Sequence, residues 1–143
     1  MWRISAAEYE ELATFRYQIR RFLHFSEDAA LIEGIEPRHH QALLAIKAMN
    51  LQEPCTIGTL AAQLFLQHQS TVGLVDRMES RGLVSRSHDS KDGRQVIVHL
   101  TRKGEDILKR LSLTHRAELE ERAPEFARAL HAIMRRTKAT IGK

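Results

Sequence analysis

Asp92-Gly93-Arg94-Gln95-Val96-Ile97-Val98-His99-Leu100-Thr101-Arg102-Lys103-Gly104, the stretch DGRQVIVHLTRKG, joins a turn, a strand and the start of a helix within thirteen residues. Asp-Gly suits a tight turn because both residue types tolerate positive φ. Behind it, Val96, Val98 and Leu100 alternate with Gln95, Ile97 and His99, so one strand face can pack inward. Leu83–His88 reads as the partner strand, and Thr101 offers a hydroxyl to cap the helix that follows. The polar tip, residues 89–94, then projects outward. An arginine on such a tip can enter a narrow, strongly negative DNA minor groove. Asp92, two residues before Arg94, is placed to hold the guanidinium in a bidentate pair and aim it. An exposed pair adds only about 0–1 kcal/mol to folding, so its value lies in positioning.

What precedes the hairpin sharpens this reading. Thr56 is a good N-cap for a helix over 57–66 with Leu60, Ala61 and Leu64 turned inward. Gln67-His68-Gln69 forms a brief break, and a second helix over 70–81 closes at Gly82. Two short helices followed at once by a hairpin make a winged helix-turn-helix, whose second helix enters the major groove. Wound at 100° per residue, Val72, Val75 and Glu79 share one side with Met78 at its border, so the valines seat the helix. Ser70, Leu74 and Arg77 cluster opposite, beside Gly73. An outward Leu74 suits contact with a thymine methyl or a sugar. Gln67, His68, Gln69, Ser70 and Thr71 supply donors and acceptors at the helix start, where free amides also favour a phosphate. An ordinary polar helix start is the competing reading.

The flanks read as helices. Ser5 and Glu8 form a capping box, and Leu12, Phe15, Ile19, Phe22 and Leu23 give one apolar stripe up to about Leu31, where Gly34 stops it. Pro37 opens a helix ending near Asn50, with Leu43, Leu44, Ile46 and His40 on its inner face. The helix from Thr101 is expected to run to about Arg122 and break at Pro124. Phe126, Leu130, Ile133, Met134, Thr137 and Ile141 then mark a last one. The order is four helices, two strands and two helices: mainly α with a small β-hairpin wing (α+β).

At 143 residues, with seven Gly and three Pro, the chain is one helical domain's worth of sequence. The net charge is +4 overall, but residues 77–104 hold seven Lys/Arg against three acids, while residues 1–50 hold six against seven. A basic middle segment suits a polyanion, though a solvated surface would look the same by charge alone. The longest apolar run, residues 42–46, is far short of a membrane span. The start MWRISAAEYEEL does not read as a signal peptide. A single cysteine, Cys55, fits a reducing cytoplasm.

At this point the chain resembles the MarR family (multiple antibiotic resistance regulators). The wing motif D-x-R-x5-L-T-x-x-G stands here as Asp92, Arg94, Leu100, Thr101 and Gly104. Residues 60–64, LAAQL, and 70–84, STVGLVDRMESRGLV, resemble the two helix-turn-helix segments, and Ile35-Glu36-Pro37 resembles the start of the preceding helix, with Glu where Thr is usual. Gln67-His68-Gln69 departs from the common pattern of Ser or Pro. The strong part covers about residues 56–104. The resemblance implies homodimers with interlocked terminal helices, bound to pseudo-palindromic operators, usually as repressors, and released by small anionic aromatic effectors. On this chain it implies a lobe at 36–104 that binds double-stranded DNA, with dimerisation helices at 5–34 and 105–141. The implied base readers are Gln67, His68, Gln69, Ser70, Thr71 and Arg77. Arg94, positioned by Asp92, is the implied wing contact, and Lys91 and Arg86 are phosphate contacts.

Other residues carry less. Arg16, Arg20 and His24 lie on one side of the first helix, where an anionic effector or an interface salt bridge would use them. Cys55 reads as a small packed residue rather than a peroxide sensor. His39 and His40 are adjacent and point about 100° apart, so they do not share one ion. His24 with Asp28 has ligand spacing but no third ligand. No nucleophile elbow, P-loop or dinucleotide motif occurs, so neither an enzyme nor a cofactor or metal is expected. Two rival functions are a protein-interaction module built on the winged helix and a small metal-dependent enzyme using the histidines.

Overall fold

The computed structural model describes residues 2–88, 91 and 93–142. The elements are α1 (Ala6–Ile32), α2 (Pro37–Asn50), α3 (Ile57–Leu64), α4 (His68–Ser80), β1 (Val84–His88), β2 (Val96–Leu100) and α5 (Arg102–Ile141). They form two compact units, one of residues 29–113 and one of residues 1–28 with 114–143.

In the first unit, local chemistry sets most boundaries. Thr56 caps α3 in a reciprocal box with Thr59, each side chain serving the other's backbone amide. Pro37 sits in the first turn of α2, where its missing N–H costs nothing. Gly34 and Gly82 take φ of +78° and +72° at the two turns that need it. The strands pair antiparallel from Val84 opposite Leu100 to His88 opposite Val96. Leu43, Ile46, Leu60, Val75, Met78, Leu83, Val84 and Val98 form the core.

Ile97, expected on the outward side of the strand, is buried along with Val98. Its outer edge is covered because Thr56 bridges to it, and Val98 N–H donates to Cys55 O at 2.8 Å. Asn50 clips the same junction, accepting from Cys55 N at 2.8 Å and donating to Val98 O at 2.9 Å. Leu44, expected inside, is exposed, and His39 takes the inner place beside His40.

His39 is fully buried and neither ring nitrogen has a hydrogen-bond partner among the described residues. Its Nε2 lies 3.6 Å from the Glu36 carboxylate, which accepts from Arg81 at 3.2 Å. Burial holds the imidazole pKa below its ordinary 6.5; Glu36 works against this, while Arg81 and Arg77 reinforce it. The unfolded chain therefore takes up this proton first as pH falls. Stability is intact above the unfolded value and is lost as pH drops through the lower folded one. The melting temperature is expected to fall as pH drops below the ordinary imidazole value of about 6.5, and to fall less in His39→Leu. Identical acid profiles for the two proteins would refute this.

In the second unit, Ser5 and Glu8 form the expected capping box, with Ser5 N–H donating to Glu8 at 2.7 Å. Phe22 meets His115 and Phe126 edge-on, and His115 Nε2 lies 2.8 Å from Ser26 Oγ. Arg21 pairs with Glu125 at 3.0 Å, and Arg136 grips Glu11 through two nitrogens. Gln18, Phe22 and Phe25 turn towards α5, whereas Leu12, Ile19 and Leu23 stay exposed.

Pro124 does not break the chain into two helices; it lies inside the 40-residue α5. Proline removes one backbone bond and crowds the preceding turn, a cost that intact turns on both sides can carry. Here Pro124 is on an exposed face, where water can serve the released carbonyl, and Arg122 bridges the site by pairing with Glu118 at 3.4 Å and Glu125 at 3.6 Å.

Candidate nucleic-acid interface

The site is built on α4, which begins at His68, two residues earlier than the sequence suggests. Gln67 is its extended N-cap and provides no side-chain bond to the first-turn amides. An uncapped helix start favours an anion through its aligned N–H groups. His68, Gln69 and Ser70 are exposed around it.

The rotation of α4 differs from the expected one. Thr71, Leu74, Val75 and Met78 are buried, an i, i+3, i+4, i+7 stripe, while Val72 is 37% exposed. Leu74 therefore belongs to the core and not to a groove contact. Thr71 is likewise withdrawn from any base, and its hydroxyl donates to Gln67 O at 3.0 Å. Leu74 and Met78 bury more apolar surface than Val72 can, so the helix settles on the larger pair. The outer face carries Gln69, Ser70, Val72, Asp76 and Arg77. Gly73 keeps it low there; a Cβ at Gly73 would meet only the Arg77 guanidinium, at 3.4 Å.

Several cations of the basic segment are used internally. Arg86, expected on a phosphate, is half-buried and pairs with Asp76 and, at 3.8 Å, with Glu79, bracing β1 against α4. Lys103 donates to Arg81 O at 2.9 Å. Arg77, Lys91 and Arg94 are exposed on the outer surface. Asp92, expected to aim Arg94, lies outside the described residues, as do Asp89 and Ser90.

Arg16, Arg20 and His24 are exposed on α1, with His24 3.5 Å from Asp28. They do not line the open groove of about 650 Å³ between the Ala7–Gln18 stretch of α1 and the Glu125–Ala132 stretch of α5. Glu10, Glu11, Glu125 and Arg128 line that groove, with Glu11 already paired to Arg136 and Glu125 to Arg21. Cys55 is buried and its thiol is pushed up to about 11 by desolvation, so it stays protonated and unreactive. Among the described residues no three His, Cys, Asp or Glu side chains are grouped to hold a metal.

A sequence model of the MarR family matches residues 33–95. The HTH-type transcriptional regulator SarZ of Staphylococcus saprophyticus is 33% identical over 69 residues, 48% of this chain and 47% of SarZ. The chain spans about half the length of the curated relatives it matches. A solved MarR family protein from Bacillus stearothermophilus aligns over 96% of this chain and 95% of its own, with 26% identity and a TM-score of 0.67. CouR from Rhodococcus jostii, solved with p-coumaroyl-CoA, aligns over 85% of this chain and 83% of its own, with 25% identity and a TM-score of 0.65.

Proposed function

We propose that this chain is a transcriptional regulator of the MarR family, a cytoplasmic, homodimeric repressor that binds a pseudo-palindromic operator in double-stranded DNA. The observation that carries this is the outer face of α4: Gln69, Ser70, Val72 and Arg77 stand exposed around Gly73, beside a hairpin whose Lys91 and Arg94 are exposed too. Two such helices, related by a two-fold axis, would occupy major grooves one turn apart, about 34–36 Å centre to centre. Gln67, His68, Gln69 and Ser70 then meet base edges and phosphates, and Arg94 enters the flanking minor groove with Asp92 holding its guanidinium.

Dimerisation is supported by apolar side chains that the terminal helices leave exposed. These are Leu12, Ile19 and Leu23 on α1, with Leu119, Leu130 and Met134 on α5. No helix among the described residues is long and apolar enough to cross a membrane. Release by a small anionic aromatic compound is supported by CouR, whose structure holds p-coumaroyl-CoA. Arg16, Arg20 and His24 are the candidates for meeting it. Such a compound acts only through a difference in affinity for two arrangements of the protein.

Selection from random duplex DNA tests the reading, with an inverted repeat as the expected product; recovery of no enriched sequence would count against it. Arg94→Ala is expected to weaken binding to every sequence and to reduce the slope of log K against log salt by about 0.9 for each wing removed from a phosphate. Unchanged affinity and slope in a gel-shift titration would remove the wing from the interface.

A further inference from the structure

Phe65 closes α3 in the left-handed region, at φ 54° and ψ 41°, and among the described residues no other non-glycine has positive φ. Its N–H donates to Ala62 O at 3.3 Å and the Leu66 N–H to Ala61 O at 2.9 Å. These two bonds end a helix in a Schellman turn, which asks nothing of the side chain and is met without strain by glycine. Phenylalanine carries a steric penalty there, and its ring recovers nothing inside the fold because the residue is 97% exposed. Leu64 and Leu66 on either side pack against the core, so the ring alone stands outward.

Strain of this kind persists where it serves a contact. Phe65 is two residues before Gln67, the N-cap of α4, and so adjoins the face assigned to DNA. Among residues 62–69 the other exposed residues are Ala62 and the polar Gln63, Gln67, His68 and Gln69, so Phe65 is the one large apolar side chain exposed in this turn, less apolar surface than a protein partner needs. A duplex backbone offers what fits: an apolar deoxyribose edge next to phosphates that the uncapped amides and His68 can meet. We propose that Phe65 is a positioning contact for DNA, its ring lying on a sugar at the rim of the major groove and fixing how deeply α4 enters. This rests on the DNA-binding reading of α4.

The test is a fluorescence-anisotropy titration of a mixed-sequence duplex in dilute salt, with thermal melts, on wild type, Phe65→Gly and Phe65→Tyr. Phe65→Gly is expected to melt about 3 °C higher, since strain is relieved. It should bind about ten-fold more weakly with an unaltered salt slope, since no cation is lost. Phe65→Tyr, which keeps the ring and the strain, should match wild type in both. Undiminished affinity in Phe65→Gly would overturn the inference, and so would a lower melting point, which would show that the ring packs within the fold. A wild type that ignores the duplex would overturn the DNA-binding reading and this inference with it; a wild type that binds no better than Phe65→Gly sinks the inference alone.

Discussion

Gly104→Ala is expected to lower the melting temperature by roughly 10 °C, the cost of about 3 kcal/mol of overpacking. A Cβ built at Gly104 falls 2.1 Å from the Leu83 carbonyl oxygen, 3.1 Å from its carbon and 3.4 Å from Leu43 Cδ2. The obstacle is backbone and cannot turn aside as a side chain would. It is also pinned, since Leu83 O accepts the Thr101 N–H at 3.1 Å, and the Thr101 hydroxyl donates to Gly82 O. That hydroxyl in turn accepts the Gly104 N–H at 3.1 Å. The first turn of α5 is thus bolted to the start of β1 at van der Waals distance, and room for a methyl exists only if the bolt opens. Differential scanning calorimetry decides the matter, and a shift under about 2 °C would contradict the packing.

Leu74→Ala is expected to cost about 3 kcal/mol, or roughly 10 °C, because the residue is 3% exposed and packs within the core of the helix-turn-helix unit. Val72→Ala, two positions earlier on the outer face, should change stability by less than about 0.5 kcal/mol while weakening DNA binding. The paired measurement reads the rotation of α4 directly. Val72→Ala proving the more destabilising would mean that the helix presents its other side to the lobe.

The α4 rotation illustrates where a one-dimensional reading stops. Val72 with Val75, and Leu74 with Val75 and Met78, are both acceptable inward sets on a helical wheel. Periodicity ranks neither, because it counts apolar positions and not the surface each removes from water. The core resolves it in favour of the larger side chains, and Leu74 and Thr71 leave the groove as a result. Pro124 is a similar case. Its local cost is real, but it is set against the pairing of Arg122 with Glu118 and Glu125 across the same turn.

Arg86 shows the limit for charges. A cation in a basic segment is a phosphate candidate until its distance to every acid is known, and here Asp76 and Glu79 claim it. Phe65 is invisible to pattern altogether. Nothing in a Phe between two leucines announces a positive φ; the helix end imposes it.

Read alone, the amino-acid order determined what depends on neighbours within a few residues. The capping boxes at Ser5 and Thr56, the proline that opens α2, the glycine turns at 34 and 82, and the antiparallel hairpin are all of this kind, since short-range backbone hydrogen bonding is encoded by adjacent side chains. Tertiary packing alone decided which side of α4 faces outward, that Ile97 is covered, and which arginines are occupied. Those outcomes depend on competition between residues distant in the chain for the same buried volume and the same counter-charge, and that competition has no local signature.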